Sequence, residues 1–304
     1  MSRILFIAPT RIGDAILATG PLAWIERHQP NTKITVATSS LSAPLFEHHP
    51  QLERIIIIDK MPRGRHWLKL WREANTTWWS AVWDMRSSAL AYVLPTFSRI
   101  IYKADKERIH KVLQFERRFK RILPSPKVWT SAQDELLAEN LLPPNQKYML
   151  IAPIANWDPK EWPMEYFIAL LRDVLAKGGI AEGFQPVIAC AAHEATKAQP
   201  LINALQEFAP ICFTDGALSL SALYACFKRA QFFIGNDSGL MHMAAAANIP
   251  TLGLLGPTAY NADMFYPWGT QNAMAIAPDE NNFASLSVAM VKTKMEIMLR
   301  QSIQ

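Results

Sequence analysis

Short apolar runs recur along the chain, separated by polar and proline-containing stretches, and the spacing of those runs predicts alternating strands and helices. In the first half, ILFIA (4–8), KITVA (33–37), RIIIID (54–59), SAVWDM (80–85) and RIIY (99–102) read as strands, with fainter helical patterns between them. LLPPNQK (141–147) reads as a linker. The alternation then restarts with YMLIAP (148–153), a helix over 164–177, PVIAC (186–190), a helix over 194–207, ICF (211–213), a helix over 219–229, QFFIG (231–235), a helix over 238–248 and TLGLL (251–255). FASLSVAMVKTKMEIML (283–299) has the spacing of a closing helix. Strand–helix alternation of this kind builds parallel sheets, so the chain is expected to form two Rossmann-like α/β domains, 1–145 and 146–304.

Composition narrows the picture. Of 304 residues, 50% are hydrophobic, enough for two cores of ordinary size and too much for a disordered chain. MSRILFIAP has a brief apolar run with no small-residue cleavage site behind it, so it reads as a first strand and a cytoplasmic location is expected. No Asp, Glu, Lys or Arg occurs from Ser238 to Ala262, but Asn248, Pro250, Gly253, Gly256 and Pro257 break that stretch into a buried helix and strand rather than a membrane span. Cys190, Cys212 and Cys226 lack metal-ligand spacing and read as structural thiols. The net charge of +5 is uneven: residues 1–145 carry 21 Lys/Arg against 13 Asp/Glu, whereas residues 146–304 carry 10 against 13. A basic half suggests an anionic partner.

The candidate chemistry sits where strands hand over to helices. Gly13-Asp14 follows the first strand; Asp14 reads equally as a helix cap or as a carboxylate able to take a proton from an acceptor hydroxyl. In NWDPKEWP (156–163), Lys160 follows a strand of the second domain, where its point charge could neutralise a departing diphosphate. Glu194 in AAHEA could bind ribose hydroxyls or simply open a helix. FIGNDSGLMHMAAAANIPTLGLLGPT (233–258) is the richest stretch. There the backbone N–H groups of Ser238, Gly239 and Leu240 open a helix and suit a diphosphate; Asp237 suits sugar hydroxyls or Lys160, and His242 lies one turn beyond Ser238. GxGxxG, GxxxxGK[ST] and GxSxG are all missing, which argues against nicotinamide oxidoreductases, P-loop enzymes and α/β-hydrolases. No Asp-x-Asp pair occurs either, so neither a cofactor nor a metal is expected.

Four segments resemble glycosyltransferase family nine, the ADP-heptose:lipopolysaccharide heptosyltransferases: IGDAILATGPL, WDMRSSALAYVLP (83–95), PKEWP, and SLSALYACFKRAQFFIGNDSGLMHMAAAANIPTLGLLGPT (219–258). The resemblance implies a GT-B fold, two such domains facing a cleft, and inverting, metal-independent transfer of heptose from ADP-heptose to a hydroxyl of the lipopolysaccharide inner core at the inner face of the inner membrane. It also implies that Asp14 is the general base, that Lys160 attends the leaving group, and that Asp237, Ser238, Gly239 and His242, with Glu194, serve the donor. Ala155-Asn156 stands where members often carry a pair of threonines ahead of the lysine, so either Asn156 replaces a phosphate-binding hydroxyl or that contact is lost.

Two basic stretches complete the expectations. MPRGRHWLKLWREANTTWW (61–79) and FERRFKRIL (115–123) mix cations with aromatics, and Arg63, Arg65, Lys69, Arg117, Arg118 and Lys120 are expected to meet a lipid A–Kdo type acceptor and the anionic membrane. Their alternative reading is a solvated helix face. No nucleic-acid motif accompanies the charge. Other functions open to the same residues are transfer of a different nucleotide sugar, a protein or polysaccharide acceptor, and a catalytically silent membrane-surface protein.

Overall fold

The computed structural model describes residues 2–104, 106–256, 262–279 and 281–302. The chain divides into two compact units, Met1–Ser131 and Ala132–Gln304. Pro257 and Thr258 of the long matching segment lie outside the described residues.

In the first unit five strands, β1 (Arg3–Ile7), β2 (Lys33–Thr38), β3 (Leu52–Ile57), β4 (Trp79–Asp84) and β5 (Thr96–Ile101), form one sheet in the order β3-β2-β1-β4-β5. All its pairings are parallel. Helices α1 (Ile12–Leu17), α2 (Gly20–His28), α3 (Arg65–Ala74) and α4 (Lys111–Phe119) connect and cover it. Leu5 and Val82 are register partners, as are Phe6 and Trp83. Because successive side chains alternate between faces, the two pairs mark opposite sides of the sheet. Leu5 and Val82 share a buried cluster with Leu70 and Ala74 of α3, whereas Trp83 packs edge-on against Phe119 of α4. α3 and α4 therefore cover opposite faces.

The second unit begins with α5 (Ala132–Leu141) and continues through β6 (Lys147–Ala152), α6 (Met164–Leu175), β7 (Phe184–Ala189), α7 (Ala195–Ala204), β8 (Ile211–Phe213), α8 (Leu220–Phe227), β9 (Phe232–Asn236), α9 (Gly239–Ala246), β10 (Thr251–Leu255), α10 (Ala262–Phe265), β11 (Ala273–Ile276) and α11 (Val288–Ser302). Its strands pair in parallel in the order β11-β10-β9-β6-β7-β8. The units divide at 131/132 rather than at the proline-rich 141–147 segment. α5 packs on α8, with Lys228 bonded to Glu135 and the Arg229 Nε donating to the Leu142 carbonyl at 2.5 Å, so it belongs to the second unit. β11 was not expected from the sequence, and the closing helix starts at Val288, after a separate turn over Phe283–Ser285. No helix among the described residues is long and apolar enough to cross a membrane.

In both sheets the chain winds outward in both directions from a central pair. That reversal falls between β1 and β4 in one sheet and between β6 and β9 in the other. Loops at the C-terminal ends of such a pair splay apart and leave a crevice, the usual ligand position in open α/β sheets. At one point of the β6–β9 pair there is no room for a side chain: a Cβ on Gly235 would meet the Ala152 carbonyl oxygen at 2.7 Å, so only glycine fits there.

Candidate functional site

The second unit's crevice is built from the loops after β6 and β9. Asn236, wholly buried at the end of β9, ties them together: its Nδ2 donates to the Pro153 carbonyl at 2.6 Å, and its Oδ1 accepts from the Trp162 backbone N–H at 3.1 Å. The loop between those two anchors carries Asn156, which is exposed, and Lys160, at the end of a short turn over Asp158–Lys160. The Lys160 ammonium donates to Asp237 Oδ2 at 2.6 Å. Both side chains are largely shielded, at 23% and 13% exposure, so the pair is less screened than a surface ion pair. The sequence reading offered Lys160 as one partner for Asp237, and the structure brings the two together.

Ser238 then turns into α9 with an extended backbone (φ −145°, ψ 172°) and makes no side-chain cap bond. Its Oγ is buried and lacks a hydrogen-bond partner among the described residues. A buried hydroxyl without a partner costs free energy unless something else supplies one, which makes Ser238 a candidate contact for a bound group. Gly239 and Leu240 open the helix, where backbone N–H groups await acceptors; His242, one turn on, is buried. Glu194 ends the turn after β7, and its carboxylate accepts the Ala191 N–H at 3.1 Å, which is the helix-opening role. The ribose role draws no support from that bond. From the neighbouring α7, Lys197 reaches Asp158 (2.6 Å) and Glu161 (3.1 Å) and fastens the Lys160 loop to α7.

In the first unit Asp14 is the third residue of α1, whose N-cap is Arg11, and no side-chain cap bond is made. The helix-cap reading of Asp14 is thus wrong. Its carboxylate, without a partner among the described residues, lines a cavity of ≈ 270 Å³ with Thr10, Arg11, Met85, Arg86, Tyr102 and Lys111. Thr10 and Arg11 follow β1, Met85 and Arg86 follow β4 and Tyr102 follows β5, around the reversal point, while Asp14 lies in the first turn of α1 and Lys111 opens α4. Buried Asp84 shapes the wall: its carboxylate accepts the Arg86 N–H (2.7 Å), the Ser88 N–H (2.6 Å) and the Ser88 hydroxyl (2.6 Å). Burial raises the Asp84 pKa against these bonds, and burial also lowers that of Arg86, opposed by the charge of Asp84. The Arg86 guanidinium stacks over the Trp67 ring at 4.9 Å. On the other side, Lys111 donates to the Tyr102 hydroxyl at 2.7 Å.

Arg11, Arg86 and Lys111 were missed by sequence reasoning. WDMRSS carries part of the family resemblance, but an isolated Arg has no signature until the strand order brings three loops together. The cations singled out instead lie elsewhere and do not form one patch. Arg63, Arg65 and Lys69 sit on or just before α3; Arg117, Arg118 and Lys120 sit on or just after α4, on the opposite face of the sheet. All six are exposed. Arg117 pairs with Glu107 at 2.8 Å, and Lys69 donates to the Ile57 carbonyl at 3.0 Å.

Two parallel-sheet α/β units with charged loops at their reversal points have the architecture of GT-B glycosyltransferases. Over its whole length the chain is similar to the solved E. coli ADP-heptose lps heptosyltransferase II (TM-score 0.79, 20% identity, 100% of both chains). It is also similar to a family 9 glycosyl transferase from Veillonella parvula (TM-score 0.82, 20% identity, 99% of this chain and 98% of that one). In sequence it is 26% identical to the lipooligosaccharide heptosyltransferase 2 of Campylobacter jejuni subsp. jejuni serotype O:6, covering 91% of this chain and 88% of that protein. The family model of glycosyltransferase family 9 (heptosyltransferase) matches residues 80–294. The chain belongs to glycosyltransferase family 9, and it is a glycosyltransferase.

Proposed function

We propose that the protein transfers heptose from ADP-heptose to a hydroxyl of the lipopolysaccharide inner core, with inversion and without a metal ion. The observation that carries this reading is the Lys160–Asp237 pair beside the N-terminus of α9. A cation, a row of free backbone N–H groups and the partnerless Ser238 hydroxyl suit a diphosphate, with Asn156 in the adjoining loop as a further contact. The name of the E. coli relative, which specifies ADP-heptose and lps, points to the same donor and acceptor. The absence of an Asp-x-Asp pair from the sequence supports a route in which protein charges take the leaving group.

In this reading Asp14 accepts the proton of the acceptor hydroxyl, and the freed oxygen attacks the anomeric carbon on the face opposite the diphosphate. The anomeric C–O bond breaks, its electron pair leaves with ADP, and Lys160 and the α9 N–H groups stabilise the charge. Attack opposite the departing group inverts the centre. Asp237, released in part as Lys160 turns to the diphosphate, is placed to hold sugar hydroxyls, and His242 can donate to phosphate. Arg11, Arg86 and Lys111 give the Asp14 cavity the charge to accept an acidic acceptor such as a lipid A–Kdo type sugar, which sets the enzyme at the inner face of the inner membrane. A transfer assay with radiolabelled nucleotide sugars and a lipid A–Kdo acceptor tests the reading. Label from ADP-heptose should reach the acceptor; label only from another nucleotide sugar, or only to a protein or polysaccharide, would replace it.

A further inference from the structure

The first unit carries much of its exposed apolar surface on one flank. α3 and the segment 89–94 pack on the same face of the sheet, since Leu70, Ala74, Ala91 and Leu94 share one buried cluster with Leu5 and Val82. The Arg99 side chain of β5 donates to the carbonyls of Ala91 (2.9 Å) and Leu94 (2.7 Å), so it points to that flank. Phe97, two residues earlier on the strand, points the same way. Its ring lies 5.7 Å from that of Trp78. Phe97 is 79% exposed, Trp78 65% and Val93 63%, and Leu68, Trp71 and Tyr92 on the same elements are exposed too. Between Lys60 and Arg72 the chain holds five cations and no acid, and Arg65, Lys69 and Arg72 of α3 are exposed. The α4 flank differs: beyond its cations, the exposed large apolar residue nearby is Ile122.

We propose that the α3 flank, and not the α4 flank, docks on an anionic lipid bilayer. Trp78, Val93 and Phe97 enter the headgroup boundary, while Arg65 and Arg72 meet lipid phosphate. Exposed tryptophan, tyrosine and phenylalanine beside the exposed cations Arg65 and Arg72 match the chemistry of that boundary, where amphipathic rings and long cationic side chains both find suitable surroundings; Lys69 is already paired with Glu73 at 4.0 Å. A protein partner of matching charge would instead have to present acids and an apolar face together. With this flank down, the strands run along the bilayer and the Asp14 cavity at their C-terminal ends opens beside it. That placement suits an acceptor anchored in the same surface, and in this purpose alone the proposal rests on the reaction proposed above.

Co-sedimentation of the full chain with phosphatidylglycerol-rich and with phosphatidylcholine vesicles, at low and high salt, tests the proposal. High salt screens the cations and leaves the apolar contribution, so W78S/F97S should lower partitioning about 100-fold there, roughly tenfold for each large side chain kept out of the boundary. R65Q/R72Q should lower binding only on anionic vesicles at low salt, and R118Q/K120Q should change it less than about threefold. Y92S/V93S provides a second apolar pair should W78S/F97S fail to fold, as judged by its melting curve. Wild-type binding by both apolar variants would overturn the proposal, as would a wild-type chain that binds no vesicle. A dimer in vesicle-free sedimentation that W78S/F97S converts to monomer would also overturn it and make the flank a self-interface. No sugar enters the binding assay, so its failure and that of the transfer reading are separate results.

Discussion

At the scale of single residues, the charge that matters is the charge whose neighbours leave it work to do. Asp14 is not a helix cap and has no partner among the described residues, so Asp14→Asn removes a proton acceptor without breaking a structural bond. Turnover should fall at least about 100-fold while ADP affinity and melting temperature hold, the loss expected of a positioned base. Near-wild-type turnover would leave Asp14 as a lining residue only. Lys160 and Asp237 neutralise each other, so their separate removal exposes a partly buried charge in each case. Lys160→Ala should weaken ADP binding at least tenfold more than adenosine binding, because only ADP carries the charge the ammonium meets. Titration calorimetry with both ligands checks this, and equal losses would point to a disturbed loop. Asp14, Lys160 and Asp237 could be singled out as candidates because each lies in the segment that follows a readable strand, Asp237 immediately after β9 and the other two within eight residues of β1 and β6. Arg86 was not, since its place depends on the Asp84 turn and the Trp67 ring, neither of which has a sequence signature.

At the scale of elements, β1, β2, β4, β6, β9 and β10 were legible because parallel strands buried on both faces are nearly continuous apolar runs. β11, AMAI, lacks the β-branched and aromatic density of the other strands and lies at the sheet edge, so it went unread. The 141–147 segment separates α5 from β6 but is not the linker between the units, because α5 ahead of it is held by α8, a tertiary contact that composition does not register. Asn236 shows how one side chain sets an element's geometry: it holds both ends of the 153–162 loop through two buried hydrogen bonds. Asn236→Ala would leave the Pro153 carbonyl and the Trp162 N–H without those partners, at a cost of about 2–4 kcal/mol. The melting temperature should fall by about 5–10 °C, and ADP affinity should fall with it as Lys160 loses its footing. A melting curve within about 1 °C of wild type would show that the loop finds its anchorage elsewhere.

At the scale of the whole molecule, the two units divide the chemistry. In the proposed reading the second unit takes the diphosphate, beside Lys160 and the start of α9, and the first unit supplies the Asp14 carboxylate in a cavity lined by Arg11, Arg86 and Lys111. This division is itself testable, because Arg11, Arg86 and Lys111 offer a diphosphate more positive charge than Lys160 does. On charge alone ADP would choose the first unit. The helix N-terminus and the buried, partnerless Ser238 hydroxyl favour the second, since they supply directed donors in a site already ordered by Asn236. A ligand that binds only the folded state stabilises its host by about 2.7 kcal/mol at a hundred times its Kd, or about 100-fold in the exchange of amides that open by unfolding of that unit. Hydrogen exchange at saturating ADP should therefore slow β6, β9 and β10 about 100-fold more than it slows β1 and β4. The reverse pattern would move the nucleotide to the Asp14 cavity, strip Lys160 of its role at the leaving group, and require Arg11, Arg86 and Lys111 to take it over.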